Sequence, residues 1–175
     1  MRLINIHTGV LLFFFFTLSN LQAQKASEYQ VKAAFMLHFS KFLEWPPEAL
    51  GAPKEPFVVG VIGNDPFGHN LDEIITGDSI NEHPMIVKRF KSTVEIDKCH
   101  ILFINMPGKT SDVLDTLKGK SILTVGNDPD FNRHGGIIRF YTENDMIRLQ
   151  INIAAAKAAN LNVSSKLLRI AKIYE

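Results

Sequence analysis

The sequence predicts a single α/β domain, a three-layer sandwich in which flanking helices cover a mostly parallel sheet that ends in a C-terminal antiparallel hairpin. Apolar strand-like runs alternate with helical patterns along the chain, which is typical of a parallel sheet. The run 101–104 has four consecutive large apolar residues, a pattern favoured in strands that are covered on both faces. Residues 146–151 alternate apolar with polar side chains instead, which favours one strand of an edge hairpin.

The first helix is predicted over 27–45, where apolar residues recur at helical spacing. Ser27 suits its N-cap, and Pro46 and Pro47 end it. The apolar arc is broader than one sheet contact needs, so either a second helix or a partner protein covers the remainder. The candidate partner-binding residues on this arc are Phe35, Met36, Phe39 and Leu43.

The remaining elements follow from apolar runs and from glycine and proline breaks. Strands are predicted over 57–62, 85–87, 99–105, 122–125, 137–141 and 146–151. Helices are predicted with Leu71, Ile74 and Ile75 inward, over about 111–117, over an alanine-rich segment to about 159, and from Ser164 onward. At most a one-turn helix fits between 130 and 133, because so few residues separate the two flanking strands.

A four-residue motif, Gly-Asn-Asp-Pro, occurs at 63–66 and again at 126–129, each time after an apolar strand. Parallel sheets bind ligands beyond the carboxyl ends of their strands. If the strands that end at these turns and at Asn105 are neighbours, the turns line one crevice for a small polar ligand or a cation. The alternative is that the motif only caps strands and helices. The candidate crevice residues are Asn64, Asp65, Asn105, Asn127 and Asp128.

Residues 1–23 have the features of a secretory signal, with Arg2 ahead of a short apolar run and Ala23 at the predicted cleavage site. The mature domain is then 24–175, with equal numbers of basic and acidic residues. A balanced charge gives no electrostatic reason to bind nucleic acid or an anionic membrane. No later apolar run approaches the roughly 20 residues of a membrane span, so membrane insertion is not expected.

The residues that often carry catalysis or metals are sparse. The histidines of the mature domain show no metal-binding spacing, and Cys99 is the single cysteine, so neither a metal nor another cofactor is predicted. Cys99 and His100 are adjacent strand residues that point to opposite faces, so they do not form a thiolate pair. His100 is interpreted as a hydrogen-bonded structural histidine. The predicted protein is therefore an exported domain without catalytic residues.

The chain resembles the YfiR family of periplasmic proteins over nearly the whole predicted mature domain. The similar segments are 29–35, 39–46, 63–68, 99–104, 123–126, 135–138 and 151–168. This resemblance implies a soluble periplasmic regulator without enzymatic activity. It implies an inhibitor that binds the periplasmic part of an inner-membrane diguanylate cyclase or another sensor, lowers cyclic-di-GMP and biofilm formation, and forms a homodimer.

Compared with the family that it resembles, the chain differs in its cysteines. Cys99 matches a family cysteine, but Gly60 stands where its usual disulfide partner lies, and a second cysteine pair is missing. Redox control through disulfides is therefore not expected in this chain. The alternative function is a periplasmic small-ligand-binding module that feeds a membrane partner through the crevice between the two Gly-Asn-Asp-Pro turns.

Overall fold

The computed structural model describes residues 28–175, which fold into one eight-stranded sheet with helices on both faces and a separate two-stranded ribbon. The helices are α1 (28–42), α2 (Pro47–Leu50), α3 (His69–Ile75), α4 (Thr110–Thr116), α5 (Ile153–Ala158) and α6 (Ser165–Leu168). The strands are β1 (Leu43–Glu44), β2 (Phe57–Gly63), β3 (Ser79–Ile80), β4 (His83–Phe90), β5 (Ile101–Asn105), β6 (Leu123–Gly126), β7 (Ile138–Glu143), β8 (Met146–Ile151), β9 (Asn162–Val163) and β10 (Ala171–Ile173).

The main sheet has the strand order β10-β8-β7-β6-β5-β2-β4-β3. Strands β4, β2, β5, β6 and β7 are parallel, whereas β8 returns antiparallel to β7. The predicted central strand is confirmed, because β5 lies between β2 and β6 and four of its residues are buried. The predicted C-terminal hairpin is also confirmed, and its first strand runs parallel to β6. Its predicted place at the edge of the sheet is wrong, because β10 pairs parallel with β8 on the outer side.

Two apolar cores, one on each face of the sheet, make the predicted three layers. Alternate residues of β2 point into different cores. Val59 and Val61 belong to one core, and Val58 and Ile62 belong to the other. This division follows from the two-residue period of a strand. Helices α1, α3 and α5 cover the first core and α4 covers the second, so both faces of the parallel strands are buried as the apolar runs require.

The first helix is shorter than its sequence pattern predicts. It ends at residue 42, and Leu43 and Glu44 then form β1, which pairs antiparallel with β9. The predicted N-cap, Ser27, lies outside the described residues. The C-terminal segment covers the outer part of the helix arc, with Leu43 opposite Val163 and the Ser164 N–H donating to the Phe42 carbonyl at 3.0 Å.

The two Gly-Asn-Asp-Pro turns are not equivalent strand-to-helix turns. After the first, α3 begins only at His69, because Asp65 folds the chain into a local turn by accepting the Phe67 N–H at 2.8 Å. After the second, residues 129–135 form consecutive turns, which is within the predicted limit of one helical turn. The predicted cap at Ser164 is confirmed, since its hydroxyl accepts the Leu167 N–H.

Candidate functional site

The carboxyl ends of three parallel strands meet at one edge of the sheet, as the crevice prediction requires. Gly63 at the end of β2 lies opposite Asn105 at the end of β5, and Ile104 lies opposite Gly126 at the end of β6. Both Gly-Asn-Asp-Pro turns therefore leave the sheet at the same edge. Neighbouring strands are separated by about 4.8 Å, so the two turns, which have β5 between them, leave the sheet about 10 Å apart, with Asn105 in the middle.

Asn64 and Asn105, at the ends of β2 and β5, are already hydrogen-bonded to each other. The Asn64 N–H donates to the Asn105 carbonyl at 3.0 Å, and the Asn105 side-chain amide donates to the Asn64 carbonyl at 2.8 Å. A side chain at Gly63 would meet the Asn105 backbone at 2.3 Å, which leaves no space between the two segments. These contacts tie the ends of β2 and β5 together.

The two aspartates make local and lateral contacts. One oxygen of Asp65 accepts the Phe67 N–H, and the other pairs with Arg89 Nε at 2.7 Å. Asp128 accepts the Asp130 N–H at 2.9 Å. These contacts are the turn-capping chemistry that the sequence offered as the alternative to a crevice. Binding of a small ligand or a cation by the five predicted crevice residues stays a prediction.

Asn127 is the crevice residue that faces a cavity, and it does so together with α1. Its side-chain oxygen accepts from Lys32 Nζ at 3.2 Å, and its amide donates to the Tyr29 hydroxyl at 3.2 Å. A cavity of about 420 Å³ lies here, and we call it the β6-end cavity. It is lined by Glu28, Tyr29, Lys32, Asn127 and residues 139–142 of β7. Its size is within the usual range of ligand pockets.

Lys32 is the functional candidate that the sequence pattern missed. Helical spacing places Lys32 outside the apolar arc of α1, which predicts an exposed side chain, but the residue is only 3% exposed. Its ammonium is paired with Glu28 and lies 4.7 Å from the centre of the Tyr29 ring. Burial raises the pKa of the Tyr29 hydroxyl, so that group remains a neutral hydrogen-bonding partner. The sequence signal for Lys32 is the glutamate four residues earlier, since such pairs face each other on a helix.

The predicted partner-binding arc on α1 is mostly covered by the protein itself. Met36 and Phe39 are completely buried, and Leu43 is 5% exposed. These three residues therefore lack the exposure that a partner contact needs, because the sheet and the C-terminal segment already cover them. Phe35 is half-buried, stacks on Phe39 at 6.1 Å between ring centres, and keeps one side open.

The open side of Phe35 belongs to a groove between α1 and the tip of the β7–β8 hairpin. We call it the α1–hairpin groove and define its apolar residues as Val31, Phe35, Met146 and Ile147. Its volume is about 540 Å³. Val31 is 44% and Met146 49% exposed. Among the described residues, these are two of the few large apolar side chains that face solvent, so the groove is the better candidate for a partner contact.

The sequence model of the YfiR/HmsC-like family matches residues 29–172. The chain belongs to the YfiR/HmsC-like family. No curated protein gives a significant match. Members of this family are periplasmic regulators of signalling systems and not enzymes, and they act with a membrane partner. The match covers nearly all of α1 and of the main sheet and, apart from Glu28, every residue that lines the β6-end cavity and the α1–hairpin groove. These surfaces are therefore part of the family domain.

Cys99, which the resemblance matches to a family cysteine, is buried in the second core. Cys99 is 7% exposed, and burial raises the pKa of its thiol to about 12, which keeps it protonated and unreactive. A Cβ atom at Gly60 would lie 2.8 Å from the Cys99 sulfur. Gly60 therefore faces Cys99 across β2 and β5, in the position that the resemblance assigns to the missing partner cysteine.

His100 has the structural role that its position in the sequence predicts. Its Nδ1 accepts the Val58 N–H at 2.9 Å, so its Nε2 carries the proton and donates to the Ala49 carbonyl at 2.9 Å. The ring stacks on Phe57 with centres 4.3 Å apart. Burial lowers the pKa of His100 to about 4, so the imidazole is neutral at periplasmic pH.

Within residues 28–175, no group of three or more histidine, cysteine, aspartate or glutamate side chains is arranged to hold a metal ion. In the same part of the chain, no helix combines the length and the apolar character of a membrane span. The signal peptide predicted over 1–23 lies outside the described residues.

Proposed function

We propose that this YfiR-like protein is a periplasmic inhibitor that binds the periplasmic part of an inner-membrane diguanylate cyclase and thereby lowers cyclic-di-GMP and biofilm formation. The observation that carries the proposal is the family match over residues 29–172. A regulator of this kind needs a surface for its partner and no catalytic centre. The α1–hairpin groove offers such a surface, because exposed apolar side chains next to one another mark interaction sites.

The contact is proposed to use the groove residues Val31, Phe35, Met146 and Ile147. A charged side chain in the centre of such a contact would be buried without a partner when the complex forms, which costs several kcal/mol of binding free energy. Val31→Asp introduces this charge at a solvent-exposed site, so the free protein keeps its fold. Val94→Asp is the matched control, because Val94 is 92% exposed in the separate turn Thr93–Glu95.

The experiment is deletion and complementation in the native bacterium, with cyclic-di-GMP and surface adhesion as the measurements. Deletion is expected to raise both quantities, and the wild type and Val94→Asp to restore them. Val31→Asp is expected to fail although it is exported in equal amounts. If deletion changes neither quantity and the tagged protein retains no membrane sensor, the proposed function is wrong.

We also propose that the protein acts as a homodimer, as the family resemblance implies. Sedimentation equilibrium on the exported protein measures the molecular mass directly. A mass that stays monomeric at micromolar concentration would contradict the dimer without affecting the proposed inhibitor function.

A further inference from the structure

Strand β7 extends beyond the end of its neighbour β6, and this leaves part of β7 unpaired on the side that faces β6. Pairing of β6 with β7 ends at Gly126 and Arg139, whereas β7 continues to Glu143. Residues 140–143 therefore have no neighbouring strand on the β6 side within the described part of the chain. An unpaired strand edge presents free peptide groups and is a template for an incoming strand.

The turn of the hairpin determines which peptide groups face this open side. Residues 144–145 both have left-handed φ angles, 51° and 58°, as a two-residue hairpin turn requires. Glu143 and Met146, which flank the turn, are directly opposite and exchange hydrogen bonds. Tyr141 and Arg139 likewise exchange hydrogen bonds with the residues opposite them in β8. The residues between them direct their peptide groups away from β8.

Phe140 and Thr142 are the residues that face the open side. In the register of β6 and β7, the Phe140 N–H is directed to the Gly126 carbonyl. The Phe140 carbonyl and both peptide groups of Thr142 lie beyond that last bond. These groups border the β6-end cavity, which residues 139–142 line on one side. The cavity therefore occupies the place where β6 would continue if it were as long as β7.

Lys32 and Glu28, both on α1, line the same cavity. The Lys32 side chain is 4% exposed and its ammonium is paired with Glu28, whose side chain is 33% exposed. A buried ammonium needs a carboxylate nearby, because burial of an unpaired charge is costly. Glu28 is the more exposed partner, so a carboxylate from another molecule can take its place while Lys32 stays paired.

We infer that the free edge of β7 binds an extended peptide segment of a partner protein, which continues the sheet beyond β6 and places an acidic side chain against Lys32. Two features select this occupant. The free groups of Phe140 and Thr142 match the backbone of an extended peptide, and the buried ammonium of Lys32 matches a carboxylate. The inference goes beyond the proposed function, since a partner with such a segment need not be a cyclase.

The test begins with the exported protein, immobilised and exposed to a phage-displayed library of random peptides. Selected sequences are expected to share an aspartate or a glutamate, and their synthetic versions are expected to bind one to one in calorimetry. Lys32→Met is expected to weaken binding about tenfold or more, because it removes the charge that pairs with the peptide carboxylate. Glu28→Gln is expected to strengthen binding a few-fold, because it removes the competing carboxylate.

Thr142 offers a matched pair of variants for the strand edge. Thr142→Pro removes the outward N–H and leaves the bonds to β8 in place, which an edge position tolerates. It is expected to weaken binding about fivefold, the effect of one lost hydrogen bond. Thr142→Ala keeps the N–H and is expected to bind as the wild type does. Circular dichroism shows whether each variant is folded.

N-methylation of the peptide tests the same geometry without any change in the protein. In an added strand, only every second peptide group faces β7. Methylation is therefore expected to abolish binding at alternate positions and to be tolerated between them. Uniform tolerance, selected peptides without acidic residues, or weaker binding to Glu28→Gln would each overturn the inference. So would full competition by succinate, because a small carboxylate would then be the ligand.

These measurements do not involve cyclic-di-GMP. A peptide that binds the β7 edge while gene deletion leaves cyclic-di-GMP unchanged would retain this inference and reject the proposed function. A gene deletion that raises cyclic-di-GMP, together with no peptide binding at the β7 edge, would reject this inference and retain the proposed function.

Discussion

Replacement of Gly60 by cysteine is expected to create a disulfide with Cys99. The Cβ position at residue 60 lies 2.8 Å from the Cys99 sulfur. Across a disulfide, the distance from one Cβ to the other sulfur is about 3 Å, which follows from the standard bond lengths and angles. Gly60 is not one of the described glycines with a positive φ angle, so its backbone conformation is one that other residues adopt. The backbone therefore accepts a side chain here.

The expected gain in stability is a difference between two effects. A disulfide that closes a loop of about 40 residues restricts the unfolded chain by about 4 kcal/mol in the chain-entropy model. Against this, the new Cβ would lie 2.7 Å from the Phe90 ring and 2.9 Å from Leu102, so both side chains must shift. Overpacking of this kind costs about 1–3 kcal/mol. Oxidised Gly60→Cys is thus expected to exceed the wild type by about 1–3 kcal/mol.

Urea unfolding with and without a reductant measures this difference, and a thiol titration after denaturation counts free cysteines. Gly60→Ser is the matched control, because it adds a side chain of similar size that cannot form the bond. It is expected to lose about 1–3 kcal/mol in both conditions. Since the buried Cys99 thiol has a raised pKa, the bond is expected to form during refolding and only slowly in the folded protein. Two free thiols in refolded, air-oxidised Gly60→Cys would refute the argument from geometry.

Three further predictions concern His100, the aromatic core and the crevice. The unfolding free energy is expected to fall as the pH drops from about 6.5 to about 4, because the unfolded chain then binds a proton that folded His100 excludes. In His100→Gln, the urea midpoint is expected to change less over this pH range, because the variant lacks this titrating group. Phe39→Ala is expected to cost about 3–5 kcal/mol in urea unfolding, and Phe35→Ala clearly less, because Phe39 is fully buried and Phe35 is not. If the predicted crevice binds a divalent cation, an excess of 100 times its dissociation constant should add about 2.7 kcal/mol to the unfolding free energy, and Asp128→Asn should reduce this gain. The same melting temperature with and without each tested cation would contradict that binding.

Much of the sheet was predictable from sequence because its signals are local. The apolar run of β5 and the alternation in β8 arise from burial on two faces and on one face, respectively. The short strands β1, β3, β9 and β10 were missed, since two or three residues have no period of their own and pair only because the rest of the fold brings them together. The burial of Lys32 was not predictable for the same reason. Its burial depends on Asn127, which lies far away in the sequence.

The connection between β6 and β7 explains why the edge of β7 is free. Phe131 is fully buried, and its ring fits against both Gly126 and Gly136. A Cβ at either glycine would lie less than 3 Å from that ring. The chain must therefore leave the sheet at Gly126 to place Phe131 beneath it, and it returns only at Gly136 to begin β7. The contact that fills the second core thus ends β6 early and leaves Thr142 without a neighbouring strand on the β6 side.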